Sequence, residues 1–255
     1  MKKQIFSEVL IVSLISVAIL GQSCGNSEQE RHRSDSIRMA DSLATADLFP
    51  HYKPTHWIDS CLESAAEMHL GDMRRLDELL DIADETGLKA KYGAENVKYD
   101  TIWGAEGFFS MGTILKTEPE THIEITWQNE KTKTGIISVT LVSDQDWYSE
   151  SLHVGLWHTH NVTIGMPIYE LEAANQGPFT FSGFGWDYAG TVLDWQKGKL
   201  EGKGIAVQLS EGKADENLSD VESAKILGDV QVQSDNPTAL KFHPRVWSIS
   251  LAKVQ

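Results

Sequence analysis

Four segments of the chain alternate apolar and polar residues at every second position, and this alternation constrains the fold more than any other feature. A period of two sends successive side chains to opposite faces of a strand, so each segment is predicted to be a strand with one covered face. Antiparallel pairing is the common arrangement for such a sheet. The residues predicted to face the core are Ile123, Ile125 and Trp127; Ile137, Val139 and Leu141; Ile205, Val207 and Leu209; and Trp247, Ile249 and Leu251. The segment from Glu130 to Gly135 is predicted to be a hairpin turn.

Helical periodicity precedes these strands. Two apolar stripes predict two consecutive helices over residues 57–86, with Gly87 as the stop. The stripes are Ile58, Leu62, Ala65, Ala66 and His69, then Met73, Leu76, Leu79, Leu80 and Ala83. A shorter helix is predicted from Ile168 to Asn175, following Pro167. The predicted fold class is therefore α+β, with N-terminal helices followed by a mostly antiparallel sheet.

A short internal similarity leaves two organisations open. The segment from Gly112 to Leu115 reads GTIL, and the segment from Gly190 to Leu193 reads GTVL. A predicted helix and an aromatic, glycine-rich stretch precede each of them. Two tandem helix-plus-sheet units, at 57–150 and 151–255, would explain the similarity, and so would chance in strand-prone sequence.

The N-terminus carries the features of an export signal. Lys2 and Lys3 precede an apolar run of 12 residues from Val9 to Leu20. A transmembrane helix needs about 20 such residues, so the run is too short to span a bilayer and is typical of a secretory signal. We predict a signal peptide at 1–23, a polar tether at 24–49 and a globular region at 50–255.

Cys24 follows this signal directly and resembles the lipobox cysteine of bacterial lipoproteins, with Gly21 where the usual lipobox has Leu. The resemblance implies that Cys24 carries an acyl anchor and begins the mature chain. Gly25 stands where the inner-membrane retention signal has Asp, which implies anchoring at the cell outer membrane, on its periplasmic face or at the cell surface. In the alternative without acylation, Cys24 is a thiol free to pair with Cys61.

An aromatic and glycine-rich segment runs from Pro178 to Thr191, PFTFSGFGWDYAGT. It resembles segments of bacterial envelope lipoproteins, and that resemblance implies no activity. One interpretation places the rings in the core, because aromatic side chains bury large areas. The other is a loop that presents rings beside a carboxylate to a ligand, with Phe184, Trp186, Asp187 and Tyr188 as the candidate binding residues. The aspartate-flanked Trp147, Trp186 and Trp195 are the candidates for exposed platforms.

His158 and His160 provide a weak alternative, a metal site. Two imidazoles two positions apart on a strand point to one face and could ligate zinc. The sequence offers no adjacent third ligand, so neither a metal nor a cofactor is predicted. Nucleophile-elbow and phosphate-loop motifs are missing from the sequence, and no catalytic residue is assigned.

The charge balance narrows the function classes. The formal net charge of −15 argues against nucleic-acid binding, which depends on cations that neutralise phosphates. We expect a non-enzymatic binding module for a protein or glycan partner, held at the membrane by its anchor. The alternatives are a hydrolase of envelope or dietary polysaccharide, using paired carboxylates or a His-based metal site, and a structural component of an envelope complex.

Overall fold

The computed structural model of the chain describes residues 73–149, 152, 154–214 and 218–254. In this part 39% of the residues lie in strands and 19% in helices. The predicted α+β class is therefore wrong here, because the described part is mostly β. The predicted signal peptide and tether, Cys24, Cys61 and the helix predicted from Ile58 to His69 lie outside the described residues.

The helices of the described part are short. They are α1 Asp77–Leu80, α2 Glu85–Tyr92, α3 Ile168–Asn175, α4 Asp220–Ser223 and α5 Pro237–Leu240. The predicted helix stop at Gly87 is wrong. The Asp84 side chain accepts a hydrogen bond from the Gly87 N–H at 2.8 Å, which caps α2 and places Gly87 in its first turn. The predicted helix from Ile168 to Asn175 is confirmed.

The strands of the described part are β1 Arg74–Arg75, β2 Val97–Trp103, β3 Phe109–Leu115, β4 Thr121–Asn129, β5 Thr134–Ser143, β6 Trp157–Thr159, β7 Val162–Thr163, β8 Thr180–Ser182, β9 Val192–Asp194, β10 Ile205–Ser210, β11 Gln231–Gln233 and β12 Arg245–Ala252. They form a six-stranded antiparallel sheet, in the order β10-β12-β5-β4-β3-β2, and two three-stranded sheets, β1-β6-β7 and β11-β8-β9. The four strands predicted from alternation are β4, β5, β10 and β12, and the predicted hairpin turn joins the first two.

The tandem version of the predicted fold is also wrong. Strands from both halves of the chain share the six-stranded sheet, in which β5 pairs with β12. The GTIL segment lies in β3 of that sheet. In the GTVL segment Thr191 bridges Gln208, and Val192 begins β9 of a different sheet. The two similar segments therefore occupy unrelated positions.

Two bulges change which side chains enter the core. The pairing of β4 with β5 skips Ile137, so Ile137 is exposed and Ile136 is buried instead. The pairing of β10 with β12 skips Trp247, so Val246 is buried and Trp247 is only half-buried. The predictions that Ile137 and Trp247 face the core are wrong for this reason. The other predicted inward residues are buried.

A buried hydrogen-bond chain ties α2 to the sheet. Thr113 of β3 is fully buried and accepts a hydrogen bond from the Trp127 indole N–H at 2.9 Å. The Thr113 hydroxyl donates to Glu85 Oε1 at 3.3 Å, and Lys133 also pairs with that carboxylate at 2.7 Å. The first turn of α2 is thus fixed against both β3 and the β4–β5 turn.

One hairpin extends beyond the sheet. Strand β3 pairs with β4 only at residues 113–115, whereas it pairs with β2 as far as Trp103 and Phe109. We call residues 100–112 the arm. Because side chains alternate along a strand, Trp103, Phe109 and Met111 continue the face that Val97 turns to the core. No core covers them in the arm, and they are exposed.

Candidate functional site

The first half of the aromatic segment belongs to the core. Phe179, Phe181 and Phe184 are fully buried. Their rings pack on one another, and Phe184 stacks on Phe242 with a centroid distance of 6.1 Å. Phe184 is therefore inaccessible to a ligand, and the core interpretation holds for these three rings.

The second half of the segment, residues 185–191, reaches the surface, and we call it the aromatic loop. Trp186 is half-buried against the core, and its indole N–H donates to the Gly183 carbonyl at 2.8 Å. Its ring meets the Tyr188 ring edge-on at 5.2 Å. Tyr188 is 44% exposed, and Asp187 is exposed beside it. Trp186 thus lies between the core and Tyr188, while Asp187 and Tyr188 face solvent.

Glycine lets this loop pack directly on β10. At Gly190, φ is 69°, and an added Cβ would lie 1.9 Å from the Leu209 carbonyl oxygen. The Leu209 N–H donates to the Gly190 carbonyl at 2.9 Å. A side chain at this position would separate the loop from the strand, so the close approach requires glycine.

The end of the arm faces this loop. Residues 105–107 form one turn of 3₁₀ helix, in which Glu106 adopts a left-handed conformation with φ 58°. The Gly104 N–H donates to the Phe108 carbonyl at 2.7 Å and closes the turn. The Glu106 N–H then donates to Asp187 Oδ2 at 2.8 Å, which joins the arm to the aromatic loop.

An open cleft of about 480 Å³ lies between the arm and the loop. Two exposed rings, Trp103 and Tyr188, contribute to its walls. The lining residues are Trp103, Gly104, Ala105, Glu106, Gly107, Asp187, Tyr188, Thr191 and Gln208. Carboxylates, an amide, a hydroxyl and apolar ring surface thus meet in one concavity, and none of its lining residues is a lysine or arginine.

The sequence did not single out Trp103, although its side chain is 70% exposed. Of the three tryptophans proposed as platforms, Trp195 is buried, and Trp147 is half-buried with its ring 5.2 Å from that of Trp247. One sequence feature could have pointed to Trp103. Gly104 and Gly107 lie between Trp103 and Phe108, much as glycines lie between the rings of the aromatic segment. Trp103 lies beyond the core because β3 stops pairing with β4 at Thr113. The sequence pattern does not indicate where that pairing stops.

His158 and His160 do not form the expected pair on one strand. His158 is half-buried in β6, and burial lowers its pKa. His160 lies beyond the strand in a turn, with φ 50° and its Nδ1 2.9 Å from Thr159 Oγ1. Among the described residues, no three His, Cys, Asp or Glu side chains are grouped so that they could hold a metal ion.

A separate charged cluster lies on the outer face of the six-stranded sheet. His122 Nδ1 is 2.6 Å from Asp144 Oδ1, and His122 Nε2 is 3.6 Å from Glu124 Oε1. Lys116 also pairs with Asp144, at 2.7 Å. Glu124 and Asp144 favour the charged imidazole and raise the pKa of His122. The cluster links three strand ends by ion pairs.

In the part of the chain that the structure describes, no helix combines the length and apolar character needed to cross a membrane. Comparison of the chain with protein-family models, with curated proteins and with solved structures gave no match.

Proposed function

We propose that this chain is a lipid-anchored envelope protein without enzymatic activity, and that its β-rich part binds a glycan in the cleft between the arm and the aromatic loop. The observation that carries the proposal is the placement of two exposed rings, Trp103 and Tyr188, with the Asp187 and Glu106 carboxylates in one preformed concavity. The anchor at Cys24 and the outer-membrane location rest on the N-terminal sequence.

Sugar chemistry matches this set of side chains. The C–H face of a pyranose ring is apolar and can pack on an aromatic ring, while its hydroxyls donate hydrogen bonds to carboxylates and amides. Trp103 and Tyr188 supply the ring surface. Asp187, Glu106 and Gln208 supply acceptors around it. The turn and the packing described above already hold these groups in place, which reduces the entropic cost of binding.

The charge of the cleft selects among glycans. Its two acidic residues, Glu106 and Asp187, have no lysine or arginine beside them in the lining. An anionic sugar would bring a like charge toward them without compensation, and that is unfavourable. The proposal therefore names neutral glycans, such as polymers of hexoses or N-acetylhexosamines, as the ligand class.

The test is titration of the purified protein with neutral and anionic oligosaccharides by isothermal calorimetry. We expect binding of a neutral class and a roughly tenfold weaker affinity after Trp103→Ala or Tyr188→Ala, since loss of a ring contact costs about 0.5–1.5 kcal/mol or more. Tyr148→Ala is the matched control, because Tyr148 is exposed and does not line the cleft.

Three results would overturn the proposal. They are binding of neither class of glycan, an equal affinity in the cleft variants and the wild type, and release of reducing ends during incubation. The last result would identify a hydrolase, the alternative function that uses paired carboxylates.

A further inference from the structure

The arm carries a second apolar surface, which does not line the cleft. Phe108 and Phe109 are 72% and 65% exposed, and Met111 is also exposed. The Phe109 ring packs against Trp103 at 5.5 Å and joins this surface to the edge of the cleft. Large exposed apolar patches on soluble domains mark interaction sites. The surface lies at the end of a hairpin, on side chains that are open to solvent.

From this arrangement we propose that the tip of the arm, residues 108 and 109, inserts into the headgroup region of a neutral lipid bilayer. Trp and Phe are side chains that settle at membrane–water interfaces, where ring surface leaves water and the backbone stays hydrated. Two such rings, Phe108 and Phe109, are exposed at the end of the arm outside the cleft.

The charges of the arm decide which bilayer it enters. Asp100 and Glu106 are the charged residues within 100–112, and there is no lysine or arginine in this range. Attraction to anionic lipids needs basic residues near the surface. The formal net charge of −15 adds repulsion. A bilayer of zwitterionic lipid is therefore the partner whose chemistry fits.

The length of chain before the described part allows this contact. About 50 residues separate Cys24 from Asp72, and an extended chain spans about 3.3–3.6 Å per residue. If Cys24 is acylated, as the proposed function has it, the anchor holds the described part near a bilayer. The insertion itself needs no acyl chain, so it can be tested without one.

The test uses the chain without its predicted signal peptide, residues 24–255, carrying Cys24→Ser, which removes the acylation site. The assay is sedimentation with vesicles of phosphatidylcholine alone or with about 30% phosphatidylglycerol added. We expect the protein to partition onto the neutral vesicles and to bind the anionic vesicles more weakly. Adding Phe108→Ser should lower the partition coefficient at least tenfold, and Phe108→Trp should retain it. Phe108 is exposed, so these variants should keep the wild-type urea midpoint.

Tyr148→Ser on the same background is the matched control and should bind as the parent does, because Tyr148 is 63% exposed, close to the 72% of Phe108, but lies outside the arm. Binding to neutral vesicles that is absent, unaffected by Phe108→Ser, or weaker than binding to anionic vesicles would overturn the proposal. Glycan titration of the Cys24→Ser parent separates the two proposals. In that protein, glycan binding without vesicle binding defeats only the insertion, and vesicle binding without glycan binding defeats only the proposed function.

Discussion

The backbone N–H of Glu106 donates a hydrogen bond to Asp187 Oδ2 at 2.8 Å, across 81 positions of sequence. It connects the end of the arm, which has left the sheet, to the loop that presents Tyr188. The position of the arm beside the loop therefore depends on a carboxylate that also lines the cleft. Removing the carboxylate should affect the arm before it affects the rest of the fold.

Asp187→Ala should free the arm. We expect hydrogen exchange at the Glu106 amide to accelerate roughly tenfold, since an intramolecular hydrogen bond contributes about 0.5–1.5 kcal/mol. Asp187→Asn keeps an oxygen acceptor and should stay near the wild-type rate. Exchange followed by NMR measures both variants. An unchanged Glu106 rate in the alanine variant would show that other contacts hold the arm.

Gly190→Ala should be strongly destabilising, by more than about 3 kcal/mol, because the new Cβ meets the Leu209 carbonyl as well as a left-handed backbone. Gly202→Ala is the matched control, since φ is 67° there and no atom lies within 4 Å of the added Cβ. The control should cost only about 1–2 kcal/mol of backbone strain. Urea unfolding of the two variants gives the comparison, and equal losses would contradict a steric cause at Gly190.

Thr113→Val should leave the buried Trp127 indole N–H without an acceptor. We expect a loss of about 1–3 kcal/mol in the free energy of unfolding, which is the cost of an unsatisfied buried donor. Thr113→Ser keeps the hydroxyl and should cost only about 1 kcal/mol for the lost methyl group. Chemical denaturation distinguishes the two. The hydrogen-bond explanation fails if serine costs as much as valine.

His122→Gln should destabilise the protein in acid more than in base. Glu124 and Asp144 raise the pKa of His122 above its usual 6.5, so protons bind the folded state more tightly. The stabilisation is complete below about pH 6.5 and is lost as the pH rises through the raised folded value. Urea midpoints of both proteins between pH 5 and pH 9 should converge with increasing pH, and an NMR titration of His122 should have its midpoint above 6.5. Divergence with increasing pH would refute the ion pairing.

Hydrophobic periodicity predicted much of the main sheet. Ile123, Ile125 and Trp127 all face the core as their alternation indicates. The pattern could not locate the extra residue of a bulge, because Ile137 and Trp247 are as apolar as the neighbours that replaced them. It also made the predicted helix that ends at Gly87 too long, because the apolar stripe around Leu79 fits a single turn followed by a new cap at Asp84 as well as it fits one continuous helix.

The candidate site was only partly readable for a different reason. Tyr188 and Asp187 were in the predicted loop, but Phe184 lies in the core, and a run of rings does not say which of them the fold covers. Trp103 was overlooked because its exposure follows from strand pairing. Trp103, Phe109 and Met111 form an apolar face like that of a core strand. These side chains are exposed because the arm extends beyond the part of β3 that pairs with β4.

Strand β2 is the last strand at one side of the six-stranded sheet, and Lys98 and Asp100 form an ion pair along it. A strand from another molecule that paired with β2 would have to desolvate these charged side chains. These edge charges disfavour pairing of β2 with a strand from another copy, so we expect them to limit edge-to-edge association where many copies share one surface.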